Sequence, residues 1–323
     1  MTAPVIDVHL DADDWQVRRA QRARRTLAAD PPFVDPVWFY DEHGSRLFDA
    51  ITRLPEYYPT RTERSLLEAH ADEIVAWGAD ALVELGSGTS TKTTLLLDAM
   101  ARAGTLRRYI PFDVSEETLR DAAHRLTDRY PGLAVHGVVG DFHQHLPTIP
   151  DGGSRLVAFL GSTIGNLAPS ERRRFLPDLD CAMEHHDRLL LGIDLEKDPD
   201  RLVAAYDDAS GVTAEFNRNA LRVLNRELGA DFDPDAFDHV ALWDPHQRWI
   251  EMRLLAHTSQ VVTVPGLSEP LRFGAGEGLR TEISAKFTVD GMTKELWTHG
   301  FVVDEVFVDA AQDFALLLAH PYC

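Results

Sequence analysis

Residues 81–100, ALVELGSGTSTKTTLLLDAM, contain the strongest indication of the fold. It begins as a continuous apolar run, passes through a turn with two glycines, and continues with apolar residues at helical spacing. Glycines at a strand-to-helix turn let a backbone approach a ligand closely and leave the first helical N–H groups available to it. Alone, a Gly-x-Gly turn is a weak signal, because a purely structural tight turn has the same form.

The same strand-then-helix pattern repeats along the chain. Buried parallel strands are short continuous apolar runs, and four more follow at RRYIPFD (107–113), LAVHGVVGDF (133–142), SRLVAFLGST (154–163) and DRLLLGID (187–194). Helix-like segments with a capping Ser or Pro-Ser start follow the first, second and fourth strands of the series. This repetition predicts an α/β fold with a doubly wound, Rossmann-like parallel sheet.

The pattern stops after Asp194. Residues 196–228 look helical, and we expect WIEMRLLA (249–256) and QVVTV (260–264) to form an antiparallel hairpin. A helix-like segment then stops at Gly300, and the two strands after it are expected to add an antiparallel terminal pair to the first sheet.

These changes of pattern predict an α/β domain interrupted by a second, mixed α+β domain. The α/β domain is expected to comprise residues 61–196 and 287–323. The mixed domain is expected to combine residues 1–60 with the inserted residues 197–286.

Composition excludes several classes of protein. Lys plus Arg number 32 against 52 Asp plus Glu, and the formal net charge of -20 argues against a nucleic-acid partner. We interpret the basic run in residues 18–25 as a solvated helix face.

The two cysteines show no metal-ligand spacing, so neither a metal site nor a disulfide framework is expected. With an acidic N-terminus and no apolar run of about 18 residues, a cytoplasmic monomer without membrane contact is expected.

The residues after the glycine turn disfavour two common cofactor classes. A dinucleotide-binding turn has a third glycine three residues after the second, and here that position is Thr91. A phosphate-binding loop has glycine directly before its lysine, whereas Thr91 precedes Lys92. NAD, FAD and ATP are therefore disfavoured.

Acidic residues follow the next two predicted strands. Asp113 ends the second strand, and Asp141 ends the third with Phe142 beside it. Ligands of open α/β sheets bind at the carboxyl edge of the strands. There, the first acid suits ribose hydroxyls and the second suits an adenine amine, although either aspartate alone could instead cap a helix. Three strand-end signals in order favour S-adenosylmethionine as cosubstrate.

The fourth strand runs into GSTIGN, residues 161–166, at the position where a methyl acceptor would bind. Nucleic-acid base methyltransferases typically carry an Asp or Asn-Pro-Pro-aromatic run there, which this chain lacks. A small, polar, glycine-bracketed loop favours a small acceptor.

Longer stretches of the chain resemble the histidine Nα-methyltransferase family of ergothioneine biosynthesis. They are WFYDEHGSRLFDAITRLPEYYPTRTE (38–63), LVELGSGTSTKT (82–93), FLGSTIGN (159–166), AYDDASGVTAEFNRN (205–219) and RTEISAKF (280–287). The resemblance implies successive methylation of the α-amino group of L-histidine to Nα,Nα,Nα-trimethylhistidine (hercynine), with S-adenosylmethionine and no metal. It assigns methyl transfer to the α/β domain and substrate binding to the mixed domain.

The resemblance also implies roles for individual residues. Cosubstrate contacts fall on Gly86, Lys92, Asp113, Asp141 and Phe142. Histidine contacts fall on Tyr57, Asn166, Tyr206, Glu282 and Ser284. Catalytic positions fall on Gly161, Thr163 and Tyr40, the first two near the amine. Tyr40, Phe48 and Tyr57 offer aromatic faces suited to a positively charged product, although aromatic residues in so apolar a segment could instead belong to the core. The incoming ammonium must lose a proton, which loop groups at Gly161 and Thr163, or a water, could accept.

The spacing of Glu282 and Ser284 fits an imidazole ring. Residues two apart on a strand share one face, and a carboxylate with a hydroxyl can satisfy one donor and one acceptor nitrogen. A solvent-facing strand edge would give the same pattern. Two other functions stay open at this point: methylation of another aromatic amino acid, such as a tryptophan derivative, and S-adenosylmethionine binding without catalysis.

Overall fold

The computed structural model describes residues 3–10, 12–88, 92–142 and 144–322, without the side chains of residues 12–14. The chain divides into two compact units. Unit 1 comprises Met1–Asp11, Thr62–Leu195 and Phe287–Cys323, and unit 2 comprises Ala12–Arg61 and Glu196–Lys286.

The strands, in chain order, are β1 (Val5–Val8), β2 (Ala81–Leu85), β3 (Arg108–Asp113), β4 (Ala134–Val139), β5 (Arg155–Phe159), β6 (Arg188–Asp194), β7 (Phe237–Asp244), β8 (Trp249–Ala256), β9 (Gln260–Val262), β10 (Leu271–Phe273), β11 (Gly278–Ala285), β12 (Phe301–Val308) and β13 (Phe314–Pro321). The α-helices are α1 (Ala12–Leu27), α2 (Glu42–Ile51), α3 (Pro59–Ile74), α4 (Thr94–Ala103), α5 (Glu116–Arg129), α6 (Pro169–Cys181), α7 (Pro199–Tyr206), α8 (Val212–Leu228) and α9 (Val289–Thr298). Short 3-10 helices cover Pro36–Phe39, Leu146–Thr148, Thr163–Asn166 and Pro234–Ala236.

Unit 1 is built on one large sheet. Among its described residues, eight strands lie in the order β1-β4-β3-β2-β5-β6-β13-β12. Neighbours from β1 to β6 are parallel, and β13 and β12 add antiparallel pairs at the end. The predicted α/β, Rossmann-like class with an antiparallel terminal pair is thereby confirmed. The chain order reverses between β2 and β5, and ligands of such sheets bind at this switch point, outside the carboxyl ends of the strands.

Burial explains why the strands of unit 1 are continuous apolar runs. All five residues of β2 and all five of β5 are buried, since helices cover both faces of a parallel sheet. The core on one side includes Leu82, Leu96, Met100 and Leu156. Backbone pairing from Ala81 opposite Arg155 to Glu84 opposite Ala158 sets the register of β2 and β5.

The first strand does not belong to the domain that we predicted for it. We expected residues 1–60 to belong to the mixed domain, but β1 pairs in parallel with β4, from Val5 opposite His136 to Val8 opposite Val139, and lies in unit 1. A strand of four residues adds too little apolar periodicity to be recognised, and only the exposed edge of β4 supplies its partner.

Unit 2 contains a three-stranded antiparallel sheet, β11-β8-β7, and the separate pair β10-β9. Its core packs α8 and the 3-10 helix Pro36–Phe39 with this sheet, through residues such as Trp38, Phe216, Leu221 and Ile250. The expected hairpin of residues 249–256 with 260–264 is wrong. Because β7 and β11 occupy both edges of β8, β9 pairs with β10 instead.

The basic run of α1 is only partly a solvated face. Arg18, Arg22 and Arg25 are exposed, but Arg19 forms an ion pair with Glu227 and lies 4.2 Å over the Trp38 ring. Arg24 donates to the carbonyl oxygen of Pro265 at 2.7 Å. These contacts within unit 2 come from segments far apart in the chain, so the charge run alone could not predict them.

Candidate active site

The glycine turn after β2 leaves room for a ligand. Gly86 and Gly88 have φ values of +69° and +46°, a left-handed conformation that glycine adopts without strain. Among the described residues, no atom outside the neighbouring positions lies within 4 Å of the place that a Cβ would take at either glycine. The Gly86 N–H donates to the Phe112 carbonyl oxygen at 2.8 Å, which fixes the turn against β3. Thr89, Ser90 and Thr91 lie outside the described residues.

Asp113 stands at the end of β3, directly beside this turn. Its carboxylate accepts from the N–H groups of Gly88 at 2.9 Å and Ser115 at 3.0 Å. Ser115, rather than Asp113, caps α5 through the Thr118 N–H. Burial raises the pKa of the Asp113 carboxyl. The Val114 N–H acts on the same carboxylate. Because a carboxylate has about four lone-pair sites, these backbone donors leave capacity for a ligand hydroxyl, and the group fits a ribose.

Asp141 and Phe142 follow β4, which ends at Val139, two residues before the predicted end. The Asp141 N–H donates to Nδ1 of His145 at 3.1 Å. The Phe142 ring meets the rings of Phe159 and Phe175 edge-on, at centroid distances of 5.8 and 5.6 Å. Both residues are partly buried. Packing against these two rings gives the Phe142 ring the fixed orientation that stacking on an adenine would need.

The sequence analysis did not predict a role for the buried carboxylate of the strand before the turn. Glu84 lies inside β2, where it accepts hydrogen bonds from the hydroxyls of Thr93 and Tyr109. Burial raises the pKa of Glu84 to about 7. A glutamate inside an otherwise apolar strand is the sequence signal that could have indicated this buried carboxylate. Thr93 precedes α4, so the Glu84 contact fixes the start of this helix behind the glycine turn.

A second buried carboxylate, Glu63, joins two residues of the predicted site. Its side chain is fully buried and forms an ion pair with Lys92. It also accepts from the Gly161 N–H at 2.6 Å. A side chain at Gly192 would overlap its Oε1 atom. Glu63 therefore fixes Lys92 and the loop after β5 together, although nothing in its helical sequence context indicated this role.

The loop after β5 has a strained backbone. Gly161 and the non-glycine Ser162 both have left-handed φ values, +74° and +55°. The Ser162 hydroxyl accepts from the Asp194 N–H at 2.9 Å. This hydrogen bond offsets the energetic cost of the left-handed backbone at Ser162. Thr163 donates its hydroxyl hydrogen to the Leu160 carbonyl oxygen at 2.8 Å, so its oxygen presents lone pairs. Asn166 ends the 3-10 helix of this loop.

Unit 2 brings Tyr206 and Ser284 together with an unpredicted third residue. The two hydroxyl oxygens are 2.7 Å apart. The Lys286 ammonium lies 2.9 Å from the Tyr206 oxygen and 2.8 Å from the Ser284 oxygen. All three side chains are buried. We call this group the hydroxyl–lysine triad.

Glu282 precedes the triad on β11, the edge strand of its sheet. It pairs with Met252 of β8, directly after an irregularity in register that begins at Arg280. Glu282 is partly exposed, whereas Ser284 is 4% exposed. The alternative of a solvent-facing edge is therefore wrong for Ser284. The side chain of Ser284 faces protein because Tyr206, at the end of α7, covers it.

The three predicted aromatic residues form one cluster in unit 2. The Tyr40 and Phe48 rings are 5.8 Å apart, and the Phe48 and Tyr57 rings are 6.4 Å apart, both edge-on. Tyr57 continues to Tyr206 at 6.1 Å. Tyr57 is 9% exposed, but Tyr40 is 46% exposed. The cluster is thus part core and part accessible surface, a mixture that sequence alone left open.

The predicted site residues are divided between the two units. Unit 1 contains Gly86, Lys92, Asp113, Asp141, Phe142, Gly161, Thr163 and Asn166. Unit 2 contains Tyr40, Phe48, Tyr57, Tyr206, Glu282 and Ser284.

Across the described ranges, no group of three acidic, histidine or cysteine side chains could hold a metal ion. Within the same residues, no helix combines the length and apolar character needed to cross a membrane. The expectations of a cytoplasmic monomer without metal or nucleic acid remain predictions.

Comparison with known proteins gives a near full-length match. The model of the histidine-specific, S-adenosylmethionine-dependent methyltransferase family matches residues 19–321. The chain is 53% identical to a histidine N-alpha-methyltransferase of Mycolicibacterium smegmatis, over 96% of this chain and 97% of the relative. It is 50% identical to a histidine N-alpha-methyltransferase of Mycobacterium tuberculosis, with the same coverage.

A more distant relative is ergothioneine biosynthesis protein 1 of Neurospora crassa, which is 34% identical over 70% of this chain and 26% of its own length. The family model covers unit 2 as well as unit 1, so the match does not rest on the cosubstrate-binding fold alone. The chain belongs to the family of histidine-specific, S-adenosylmethionine-dependent methyltransferases.

Proposed function

We propose that this enzyme transfers methyl groups from S-adenosylmethionine to the α-nitrogen of L-histidine, three times in succession, to give Nα,Nα,Nα-trimethylhistidine for ergothioneine biosynthesis. The observation that carries the proposal is 53% identity over 96% of the chain to a histidine N-alpha-methyltransferase. The site residues of both units supply the chemistry that this reaction needs.

In unit 1, the carboxyl ends of neighbouring strands support the assignment of the cosubstrate. We assign the ribose hydroxyls to Asp113 and the adenine to Asp141 and Phe142, with the methionine part near Gly86 and Lys92. No described side chain fills the space beside Gly86 and Gly88, which supports binding of a ligand at this turn. The sulfonium of bound S-adenosylmethionine supplies a methyl group that is already activated, so orientation should contribute most of the rate enhancement.

In unit 2, hydrogen-bond donors and hydrogen-bond acceptors support histidine as the methyl acceptor. The Glu282 carboxylate accepts from one ring N–H, and Ser284 donates to the other ring nitrogen. We assign the substrate carboxylate to the Tyr206 hydroxyl, which can donate a hydrogen bond. In unit 1, Asn166 also offers a neutral donor and stays a predicted substrate contact. The Tyr40, Phe48 and Tyr57 cluster provides aromatic faces for the positive charge of the product.

The α-ammonium must lose a proton before its nitrogen can attack. The N–C bond then forms as the S–C bond breaks, and no covalent enzyme intermediate is needed. Thr163 suits the reacting amine, because its hydroxyl hydrogen is already donated to Leu160 and its oxygen can only accept. We assign the orientation of the amine to Thr163 and Gly161, and the proton passes to this loop or to a water.

A direct assay tests the proposal. The purified protein is incubated with S-adenosylmethionine and each of the common amino acids in turn, and products are identified by mass spectrometry. We expect histidine to gain one, two and three methyl groups on the α-nitrogen, and the fragmentation pattern separates this position from the ring. Transfer to tryptophan in preference to histidine, or binding of S-adenosylmethionine without transfer to any amino acid, would refute the proposal.

A further inference from the structure

A buried histidine outside the predicted site contacts the end of α7. His239 lies on the core-facing side of β7, and its side chain is 1% exposed. Its Nε2 atom is 2.8 Å from the carbonyl oxygen of Tyr206, the last residue of α7. The last carbonyl groups of a helix have no partner within the helix and need one from elsewhere. His239 supplies such a partner at the residue whose hydroxyl we assign to the substrate.

The other ring nitrogen of His239 contacts a second buried side chain. Nδ1 lies 2.7 Å from Nδ2 of Asn217, which belongs to α8. The same Nδ2 atom donates to the carbonyl oxygen of Arg253 at 3.2 Å. Turning the amide over would place the Asn217 oxygen against this carbonyl oxygen. The amide therefore keeps its orientation, although its Oδ1 atom has no hydrogen-bond partner among the described residues.

The carbonyl oxygens of Arg253 and Tyr206 together determine where the ring proton of His239 lies. A carbonyl oxygen only accepts hydrogen bonds, and a neutral imidazole has one donor nitrogen and one acceptor nitrogen. Because Asn217 donates to Nδ1, the proton lies on Nε2, which donates to Tyr206. Burial lowers the pKa of His239, which favours this neutral form. The Asp207 carboxylate is 3.8 Å from Nε2, too far for a hydrogen bond.

Contacts at both ends thereby fix Tyr206. His239 donates to its backbone carbonyl oxygen, and its hydroxyl lies 2.7 Å from the Ser284 hydroxyl. We infer that His239 is a positioning residue that fixes the Tyr206 hydroxyl for contact with the substrate carboxylate. The inference rests on the proposed function, which assigns this carboxylate to Tyr206. Loss of the His239 contact should therefore weaken binding of histidine rather than slow methyl transfer.

Two variants separate the roles of the ring nitrogens. Glutamine places its amide nitrogen at about the reach of Nε2 and keeps a donor for Tyr206, whereas asparagine reaches only to about Nδ1 and loses that donor. In steady-state kinetics of the full chain at saturating S-adenosylmethionine, His239→Asn should raise KM for L-histidine roughly five- to tenfold, the effect of one lost hydrogen bond. Its kcat should stay within about twofold of wild type, and His239→Gln should keep KM within about twofold.

A double-mutant cycle tests whether His239 acts through Tyr206. In a Tyr206→Phe background the hydroxyl is absent, so His239→Asn should raise KM by less than about twofold further. If His239→Asn does not fold, His239→Leu removes the same donor and leaves an apolar side chain that suits the core-facing side of β7.

Three results would overturn the inference. They are an unchanged KM in the folded variant, equal increases in the asparagine and glutamine variants, and the full increase in the Tyr206→Phe background. A wild-type protein that does not methylate histidine would instead refute the proposed function.

Discussion

The two units build their polar sites in different ways. In unit 1 the groups assigned to the cosubstrate follow consecutive parallel strands, and backbone N–H groups fix them, as Gly88 and Ser115 fix Asp113. In unit 2, Tyr206 is 78 residues from Ser284 and 80 from Lys286, and only side chains join them. At Asp113 unit 1 therefore depends on backbone geometry, although Glu63 joins Lys92 and Gly161 through its side chain, whereas the triad of unit 2 depends on side-chain packing alone. Substitutions in unit 1 should change cosubstrate affinity, and those in unit 2 should change acceptor choice.

The largest effect is expected in unit 2. Glu282→Ala should lower kcat/KM for histidine by on the order of 100-fold or more, because it leaves one ring nitrogen unpaired in a site built to bind it. Turnover of tryptophan or phenylalanine should fall far less. Steady-state kinetics with each amino acid give the ratio, and Glu282→Gln, which retains an acceptor oxygen, serves as the matched control. An unchanged ratio in a folded Glu282→Ala protein would show that Glu282 does not contact the imidazole.

In unit 1, Asp113→Ala should weaken S-adenosylmethionine binding by roughly 1.5 to 3 kcal/mol, the range for a hydrogen bond to a charged group. That energy corresponds to about a 10- to 150-fold rise in Kd by calorimetry. Asp121→Ala, at an exposed position of α5, is the control and should leave the Kd unchanged. Equal affinities for wild type and Asp113→Ala would mean that Asp113 only supports the turn.

Glu84 should make the stability of unit 1 depend on pH. Its folded pKa of about 7 lies above its ordinary value of 4.5, so the folded state retains a proton that the unfolded state loses. The resulting stabilisation is complete below pH 4.5 and is lost as pH rises through about 7. Glu84→Gln removes this dependence, so its free energy of unfolding, relative to wild type, should rise between about pH 5 and pH 8 by on the order of 2 kcal/mol. Urea unfolding at both pH values measures the change, and a constant difference would contradict the burial argument.

A smaller effect is expected from Glu63, which links two parts of the unit 1 site. Glu63→Gln keeps an acceptor for the Gly161 N–H but removes the charge that pairs with Lys92. Lys92 should then lose its fixed position, and the Kd for S-adenosylmethionine should rise about tenfold, the effect of roughly 1.4 kcal/mol. Glu68→Gln is a control on the same helix, since its ion pair with Arg64 is exposed. If both variants bind equally well, Glu63 does not position Lys92.

The strands β2 to β6, the glycine turn and the aspartate at the end of β3 could be predicted from the sequence alone. These features are local: a buried parallel strand must be a continuous apolar run, and a turn that admits a ligand needs glycine. The longer stretches shared with the family indicated the cosubstrate, the reaction and the residues proposed for both sites. None of these inferences required knowledge of which distant segments meet.

The remaining contacts depend on how segments remote in the chain meet in the folded protein. β1 joined unit 1 because β4 had an open edge, and β9 paired with β10 because both edges of β8 were occupied. Glu63 and Lys286 looked like ordinary charged residues, since burial and partners come from segments remote in the chain. Long-range pairing depends on which edges and cavities the rest of the fold leaves open, and no local pattern of residues records that.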